Sequence, residues 1–191
     1  GKVTPVYCYT DGVEGELFVN GKSQGRVRKN KESRLDRYRL RWNNVKYEPG
    51  EIKVVAYDEN GNAIGEDTRR TAGAPSDIVF EVETANSGKQ PTLKADGNDM
   101  AFITISMTDK DGNHCPTADN QLTFEVTGNG TFQAACNGDA TSLEPFTQPQ
   151  MKLFSGKVVA VVRSTNEAGT LTLKVTDKKL NISKSISIRT K

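Results

Sequence analysis

Very few residues of this 191-residue chain have both the type and the spacing that catalysis requires. The one histidine, His114, stands beside Cys115 in a polar stretch, and no orienting partner for this pair is evident. Zinc needs more ligands than one histidine supplies, and triad chemistry needs a base held by a third group. We therefore interpret His114 as a solvated loop residue.

The segment Asp109-Lys110-Asp111-Gly112-Asn113 resembles the beginning of a calcium-binding loop. Such a loop needs a bidentate acid at its twelfth position, where this chain has Asn120. We interpret the segment as a hairpin tip, because glycine tolerates positive φ and Asp or Asn side chains bond their own backbone. The sequence thus predicts no metal site and no cofactor. Its acids sit mostly at turns, with nothing to place two of them across a cleft.

A strongly basic stretch lies in the first quarter of the chain. Its members are Arg26, Arg28, Lys29, Lys31, Arg34, Arg37, Arg39 and Arg41. They could bind phosphate or another polyanion, but acids are interspersed and the net charge of the whole chain is only +2. A solvated strand-and-loop face is therefore the preferred interpretation, and nucleic-acid binding is not expected.

Aromatic side chains supply the candidate contact sites. A sugar-stacking platform could be built from Tyr38, Trp42, Tyr47 and Tyr57. Aromatic residues at alternate strand positions, however, belong more often to a core. Phe18 lies on the exposed side of its predicted strand, and Phe146 lies in the irregular stretch 137–155. We keep Phe18, Trp42 and Phe146 as candidate contacts with a neighbouring domain or a glycan.

The clearest regular pattern runs from Leu93 to Phe132 and predicts two strands joined by a polar loop. The buried side of the first strand would carry Ala101, Ile103, Ile105 and Met107, and that of the second Leu122, Phe124 and Val126. Hydroxyl residues alternate with the apolar ones in the first strand, which is the period of a strand with one side buried.

Similar strand-length runs separated by turn residues continue along the chain, and none has a persuasive helical period. The sequence predicts an all-β protein of two tandem β-sandwich, immunoglobulin-like domains. The small, polar segment 71–76 contains a proline and marks the boundary, so we assign 1–72 to a small sandwich and 73–191 to a larger one. In the first, Asn20-Gly21 and Asp58–Asn62 predict hairpin tips.

Three cysteines are present, Cys8, Cys115 and Cys136. The odd count and the absence of a Cys-x-x-Cys spacing argue against a disulfide framework. We favour free thiols at Cys115 and Cys136, and a disulfide bridge between them is the alternative. Cys8 lies in an apolar run and is predicted to be buried.

Two local patterns resemble modules of a known enzyme family. Glu16–Ser23, followed by Tyr47–Gly50 and Val54–Asp58, resembles the small sandwich that follows the catalytic barrel in bacterial glycoside hydrolases of family two. Leu93–Gly97 with Gly128-Asn129-Gly130 resembles the C-terminal immunoglobulin-like domain of the same enzymes. The order of these motifs over two adjoining domains carries the resemblance.

The resemblance implies a non-catalytic C-terminal fragment of a β-galactosidase-like enzyme. Such enzymes retain anomeric configuration with two glutamates on a (β/α)₈ barrel. This chain shows no strand–helix alternation, so neither glutamate maps onto it. The implied partner is the catalytic barrel of the parent chain, and the implied location is the periplasm, the cell surface or the medium of a glycan-degrading gut bacterium. The parent could equally cleave glucuronides or mannosides.

Two further features complete the expectation. The chain enters a strand-like run almost directly after Gly1, which indicates a piece of a longer protein. No apolar run approaches the roughly 20 residues of a membrane span. Two other functions stay open: a carbohydrate-binding module that uses an exposed aromatic and the 137–155 loop, or a stalk segment of a bacterial adhesin. A catalytic barrel before Gly1 would separate the enzyme from the stalk.

Overall fold

The computed structural model describes residues 1–85 and 90–191, which form strands and turns without a helix. The all-β prediction is thus confirmed. These residues divide into two compact units, Gly1–Thr71 and Ala72–Lys191. The boundary predicted from the sequence lies one residue further along the chain. With no helix among the described residues, none is available that could cross a membrane.

The first unit consists of a four-stranded and a two-stranded antiparallel sheet. Its strands are β1 (Val6–Cys8), β2 (Glu14–Val19), β3 (Lys22–Arg28), β4 (Leu40–Trp42), β5 (Glu51–Tyr57) and β6 (Ala63–Arg70). The larger sheet has the order β3-β2-β5-β6, and β1 pairs with β4 in the smaller. Leu17 and Leu40 are fully buried between them, together with Val19, Trp42 and Val45.

Both predicted hairpin tips form in this unit. Asn20 (φ 49°) and Gly21 (φ 78°) have the left-handed backbone that a two-residue turn of this type requires. The Asn20 side chain also accepts a hydrogen bond from the Glu51 amide at 2.7 Å, which ties the tip to β5. In the second hairpin, the side-chain hydrogen bond from Asn62, followed by backbone N–H groups, lowers the pKa of Asp58.

The second unit is a sandwich of a five-stranded and a four-stranded sheet. Its strands are β7 (Asp77–Glu83), β8 (Thr92–Leu93), β9 (Met100–Thr108), β10 (Gln121–Gly128), β11 (Gly130–Cys136), β12 (Gln150–Lys152), β13 (Lys157–Ser164), β14 (Gly169–Asp177) and β15 (Ile182–Thr190). The sheet orders are β12-β10-β14-β15-β8 and β11-β13-β9-β7. Pairing is antiparallel except between β15 and β8.

Alternate residues from both sheets fill one aliphatic core, as the period of two predicts. The fully buried side chains include Ala101, Ile103, Ile105, Met107, Leu122, Ala160, Val162, Leu171, Leu173, Val175 and Ile188. Phe124 on β10 stacks on Phe132 on β11, with ring centroids 5.7 Å apart and an interplanar angle of 10°. The two sheets are therefore held together by packing of side chains rather than by backbone pairing.

The two strands predicted around the polar loop do not form a hairpin with each other. β9 belongs to the four-stranded sheet and β10 to the five-stranded sheet. The hairpin-tip interpretation holds only locally, because Thr108 and His114 form an isolated antiparallel bridge around the turn. The chain then crosses to the other sheet. Alternation shows which face of a strand is buried, but it does not identify the neighbouring strand.

Two smaller predictions also change. The stretch 137–155 contains the short strand β12, whose Met151 is fully buried, so it is not one continuous loop. Cys8 is half-buried rather than buried, because the two-stranded sheet that holds it covers only part of the side chain. All three cysteines are free thiols, as predicted, and burial raises the pKa of both Cys8 and Cys115.

We expect the core of the second unit to respond strongly to truncation. Leu173→Ala should lower the free energy of unfolding by about 2–5 kcal/mol, because it leaves a cavity between the sheets. The matched control Leu143→Ala makes the same change at a side chain that is 96% exposed and should cost no more than about 0.5 kcal/mol. Urea unfolding followed by circular dichroism measures both, and equal losses would contradict the placement of Leu173.

Candidate functional site

The structure places the three candidate contact residues in different environments. Phe18 is half-buried on the face of β2 opposite Leu17, with the Lys53 ammonium 6.0 Å from its ring centroid. Trp42 is only 5% exposed, and its indole N–H donates to the Gly25 carbonyl at 2.9 Å. Phe146 is 55% exposed between β11 and β12. Trp42 therefore belongs to the core, and Phe146 presents the most open ring of the three.

The sugar-stacking platform, which the sequence offered as the alternative to core aromatics, is not one open surface. Trp42 is enclosed, and the Arg26 guanidinium lies 3.6 Å from the centre of the Tyr57 ring. Tyr38 and Tyr47 remain 65% and 49% exposed. The Arg37 guanidinium lies 5.8 Å from the Tyr38 ring. Of the four aromatic residues, Trp42 is enclosed and Tyr57 is covered by Arg26, whereas Tyr38 and Tyr47 are open to solvent.

Acids from β2, from the turn after β5 and from the basic stretch itself neutralise much of this stretch. The ion pairs are Arg26–Glu14, Arg28–Glu14, Arg28–Glu59, Lys31–Glu59, Arg39–Asp36 and Arg41–Asp36. The hydrogen bond to Glu14, followed by the charge of Glu59, raises the pKa of Arg28. The solvated-face interpretation agrees with this arrangement. Sequence inspection missed Glu14 and Glu59 because pairing of β2, β3 and β5 brings them to the arginines.

A polar groove of about 430 Å³ lies beside the first hairpin tip. Its lining residues are Val19, Asn20, Lys22, Ser23, Gln24, Asn44, Lys46 and Glu48. Their amide, hydroxyl and charged groups suit polar ligands, but Glu48 is the sole carboxylate among them. Hydrolysis of a glycosidic bond by the usual mechanisms needs two facing carboxyl groups. This groove therefore lacks the groups for that reaction.

His114 is not the solvated loop residue that the sequence predicted. It is half-buried, and its Nε2 lies 2.9 Å from the Ser155 carbonyl oxygen, so the ring joins two loops of the second unit. Sequence alone could not reveal this partner, which is 41 positions away. Within residues 1–85 and 90–191, no three His, Cys, Asp or Glu side chains are grouped as a metal site would require.

The turn that resembled a calcium loop is organised around Asp109. Its buried carboxylate accepts hydrogen bonds from the backbone N–H groups of Gly73 (2.7 Å), Asn113 (2.8 Å) and Asp111 (2.9 Å), and from the Asn113 amide (3.0 Å). The Gly73 bond, followed by the Asn113 side chain, lowers the pKa of Asp109 to about 2. Asp109 thus fastens the start of the second unit to the turn after β9.

Comparison with known families accounts for nearly the whole chain. The model of glycoside hydrolase family 2 C-terminal domain 5 matches residues 87–186. A second model, a domain of unknown function named DUF4982, matches residues 1–65. The chain belongs to the C-terminal domains of glycoside hydrolase family 2. The resemblance drawn from the sequence motifs is therefore confirmed.

Individual family-2 proteins support this assignment. The chain is 38% identical to the β-galactosidase BoGH2A of Bacteroides ovatus over 94% of its own length, which is 20% of that protein. It is 27% identical to a β-glucuronidase of Formosa agariphila, covering 91% of this chain and 16% of that one. The chain thus spans about a fifth or less of these curated relatives.

Solved structures of family-2 enzymes share the fold. A family-2 member from Bacteroides cellulosilyticus matches 98% of this chain and 23% of its own, with 28% identity and a TM-score of 0.87. A β-glycosidase from Bacteroides vulgatus matches 99% of this chain and 23% of its own, with 32% identity and a TM-score of 0.84. Family-2 C-terminal domains thus share the all-β architecture described above.

We expect the stability contributed by Asp109 to depend on pH. Because the folded-state pKa is about 2 and the ordinary value is 3.8, the contribution is fully present above 3.8 and is lost as the pH falls towards 2. Asp109→Asn should therefore be less stable than the natural chain at neutral pH, and the difference should shrink below pH 3.8 and be lost as the pH falls through 2. Thermal unfolding over this range measures it.

The matched control is Asp111→Asn in the same turn, where the carboxylate is exposed and pairs with Lys110. This variant should follow the pH profile of the natural chain. A difference between Asp109→Asn and the natural chain that stays constant down to pH 2 would contradict the assigned role.

Proposed function

We propose that this chain is the non-catalytic C-terminal part of a β-galactosidase-like glycoside hydrolase, and that it supports a catalytic barrel elsewhere in the same polypeptide. The observation that carries the proposal is the match to BoGH2A, which extends over 94% of this chain but only 20% of the β-galactosidase. In this account a retaining mechanism with two glutamates belongs to the barrel, and the partner of the chain is that barrel.

The arrangement of carboxylates supports a non-catalytic role. Asp109 and Asp177 are buried, and each is occupied by local hydrogen bonds. Asp177 accepts from the Asn120 amide at 2.7 Å and from the Lys179 N–H at 2.9 Å, which fastens the turn after β14. A catalytic acid or nucleophile must instead face an open cleft next to a second carboxyl group.

The location of the parent enzyme is a further part of the proposal. Its resemblance to glycan-degrading enzymes supports export to the periplasm or the cell surface. Fractionation of the source bacterium, followed by immunodetection of this chain, tests that part. Detection only in the cytoplasm would contradict it.

A second candidate function is glycan binding by the exposed loop between β11 and β12. Phe146 is 55% exposed there and Leu143 is 96% exposed, so the loop offers a ring and an aliphatic side chain to a ligand. Exposed aromatic rings can stack on sugars, which is the observation that favours this candidate.

The first proposal predicts that the purified 191-residue chain does not hydrolyse nitrophenyl β-D-galactopyranoside. The complete polypeptide that contains it should hydrolyse this substrate or a related nitrophenyl glycoside. Release of nitrophenol measures both. Turnover by the chain alone would contradict the proposal. If that turnover were lost in the variant Glu48→Gln, the reaction would lie in the polar groove.

The first proposal also predicts no heat of binding when galactosides are titrated into the chain. Heat that disappears in Phe146→Ala but persists in the neighbouring control Leu143→Ala would favour the second candidate instead. Isothermal titration calorimetry makes this distinction with the natural chain and two surface variants.

A further inference from the structure

The outer face of β1 and β4 carries tyrosines and arginines in an ordered array. The pairing of these strands places Tyr7 opposite Arg41. Leu40, the residue before Arg41, points into the core instead. Tyr9 directly follows β1 and Arg39 directly precedes β4, each two residues from Tyr7 or Arg41, so they extend the array beyond the ends of the paired strands. We call Tyr7, Tyr9, Arg39 and Arg41 the Tyr–Arg face.

The tyrosines of the Tyr–Arg face are unusually open. Tyr9 is 70% exposed and Tyr7 is 47% exposed. The preceding loop, which connects β3 to β4, adds Leu35 and Tyr38, which are 60% and 65% exposed. Large side chains with this exposure, carried by β1, the residue after it and the loop that leads into β4, are typical of a contact surface.

The arginines of the face are held in place. Asp36 pairs with Arg41 at 3.0 Å and with Arg39 at 3.6 Å, and the Arg39 guanidinium lies 4.6 Å from the Tyr7 ring centre. Asp36 itself is fixed by the hydrogen bond of its N–H to the Ser33 hydroxyl at 3.1 Å. One carboxylate shared by two guanidinium groups leaves the face with a net positive charge.

These features distinguish a protein partner from a sugar. A stacked sugar needs an open ring face; Arg39 covers one face of the Tyr7 ring, so Tyr9 is the more open ring of the pair. Tyrosine and arginine are the residues enriched at the centres of protein–protein interfaces, particularly when they are fixed before binding. The positive charge selects a partner surface with exposed carboxylates.

The size of the face suits a partner that is tethered to this chain. Two strands about 5 Å apart and about 10–15 Å long present only a few hundred Å², less than the roughly 800 Å² per partner of a stable separate complex. A covalent linkage supplies an effective concentration in the millimolar range and makes a small face sufficient. We propose that the Tyr–Arg face binds an acidic surface on the catalytic part of the same family-2 polypeptide. This inference rests on the proposed function.

Hydroxyl-radical footprinting with mass spectrometry tests this inference. Oxidation of Tyr7 and Tyr9 should be about three-fold slower or more in the complete polypeptide than in the 191-residue chain, because the partner excludes water from both rings. Tyr47 is the matched control, since it is the same residue type in the same unit and is 49% exposed. Its oxidation rate should not change.

A charge reversal at the face should undo the protection. In the complete polypeptide, Arg41→Glu should restore the oxidation of Tyr9 to the rate of the isolated chain, whereas Lys46→Glu should not. Tyr9→Ser is a second variant, at a position more exposed than Arg41. In this variant the oxidation rate of Tyr7 is measured, and it should likewise return to the rate of the isolated chain. Circular dichroism confirms that each variant is folded.

The outcomes separate this inference from the proposed function. Unchanged oxidation of Tyr7 and Tyr9 in a complete polypeptide that hydrolyses glycosides would overturn the Tyr–Arg face alone. Protection confined to Phe102 and Val79, which are 50% and 44% exposed on the outer side of the four-stranded sheet, would also overturn it. A complete polypeptide without glycosidase activity would instead overturn the proposed function.

Discussion

Packing of two β-sheets through their inward side chains is the constraint on which the second unit depends. β9 and β13 from one sheet and β10 and β14 from the other contribute alternate aliphatic residues to a single core. Among the described residues, the core cluster contains Ile, Leu, Val, Met, Ala and Phe side chains and the Cys115 thiol, and it contains no carboxylate or imidazole. Any function of this unit must therefore reside in its outer faces, turns and loops.

The two buried acids of the second unit, Asp109 and Asp177, have structural partners. Asp109 and Asp177 bind backbone N–H groups, and Asn120 joins one loop to the Asp177 turn. In the first unit, Glu14, Asp36 and Glu59 pair with the basic stretch. Many of the charged groups among the described residues are thus engaged in ion pairs or in hydrogen bonds that hold turns. Such a chain suits a supporting part of a glycoside hydrolase.

Local chemistry allowed much of the fold to be predicted from the sequence. The alternation in β9 identified its buried face, and Asn20-Gly21 identified a hairpin, because both depend on neighbouring residues only. Long-range placement was not predictable. The sheet to which β10 belongs, the Ser155 partner of His114 and the acids that neutralise the basic stretch all follow from tertiary packing. Trp42 illustrates the same limit, since its spacing fitted either a core or an open platform.

The central claim is that this β-structured chain supports a catalytic barrel in the same polypeptide. Sequencing the gene on both sides of the segment that encodes Gly1–Lys191 tests it most directly. We predict one reading frame about five times as long, as the 20% coverage of BoGH2A implies, with a (β/α)₈ barrel encoded before Gly1. A frame that encodes only further β-sandwich domains, or only these 191 residues, would contradict the account.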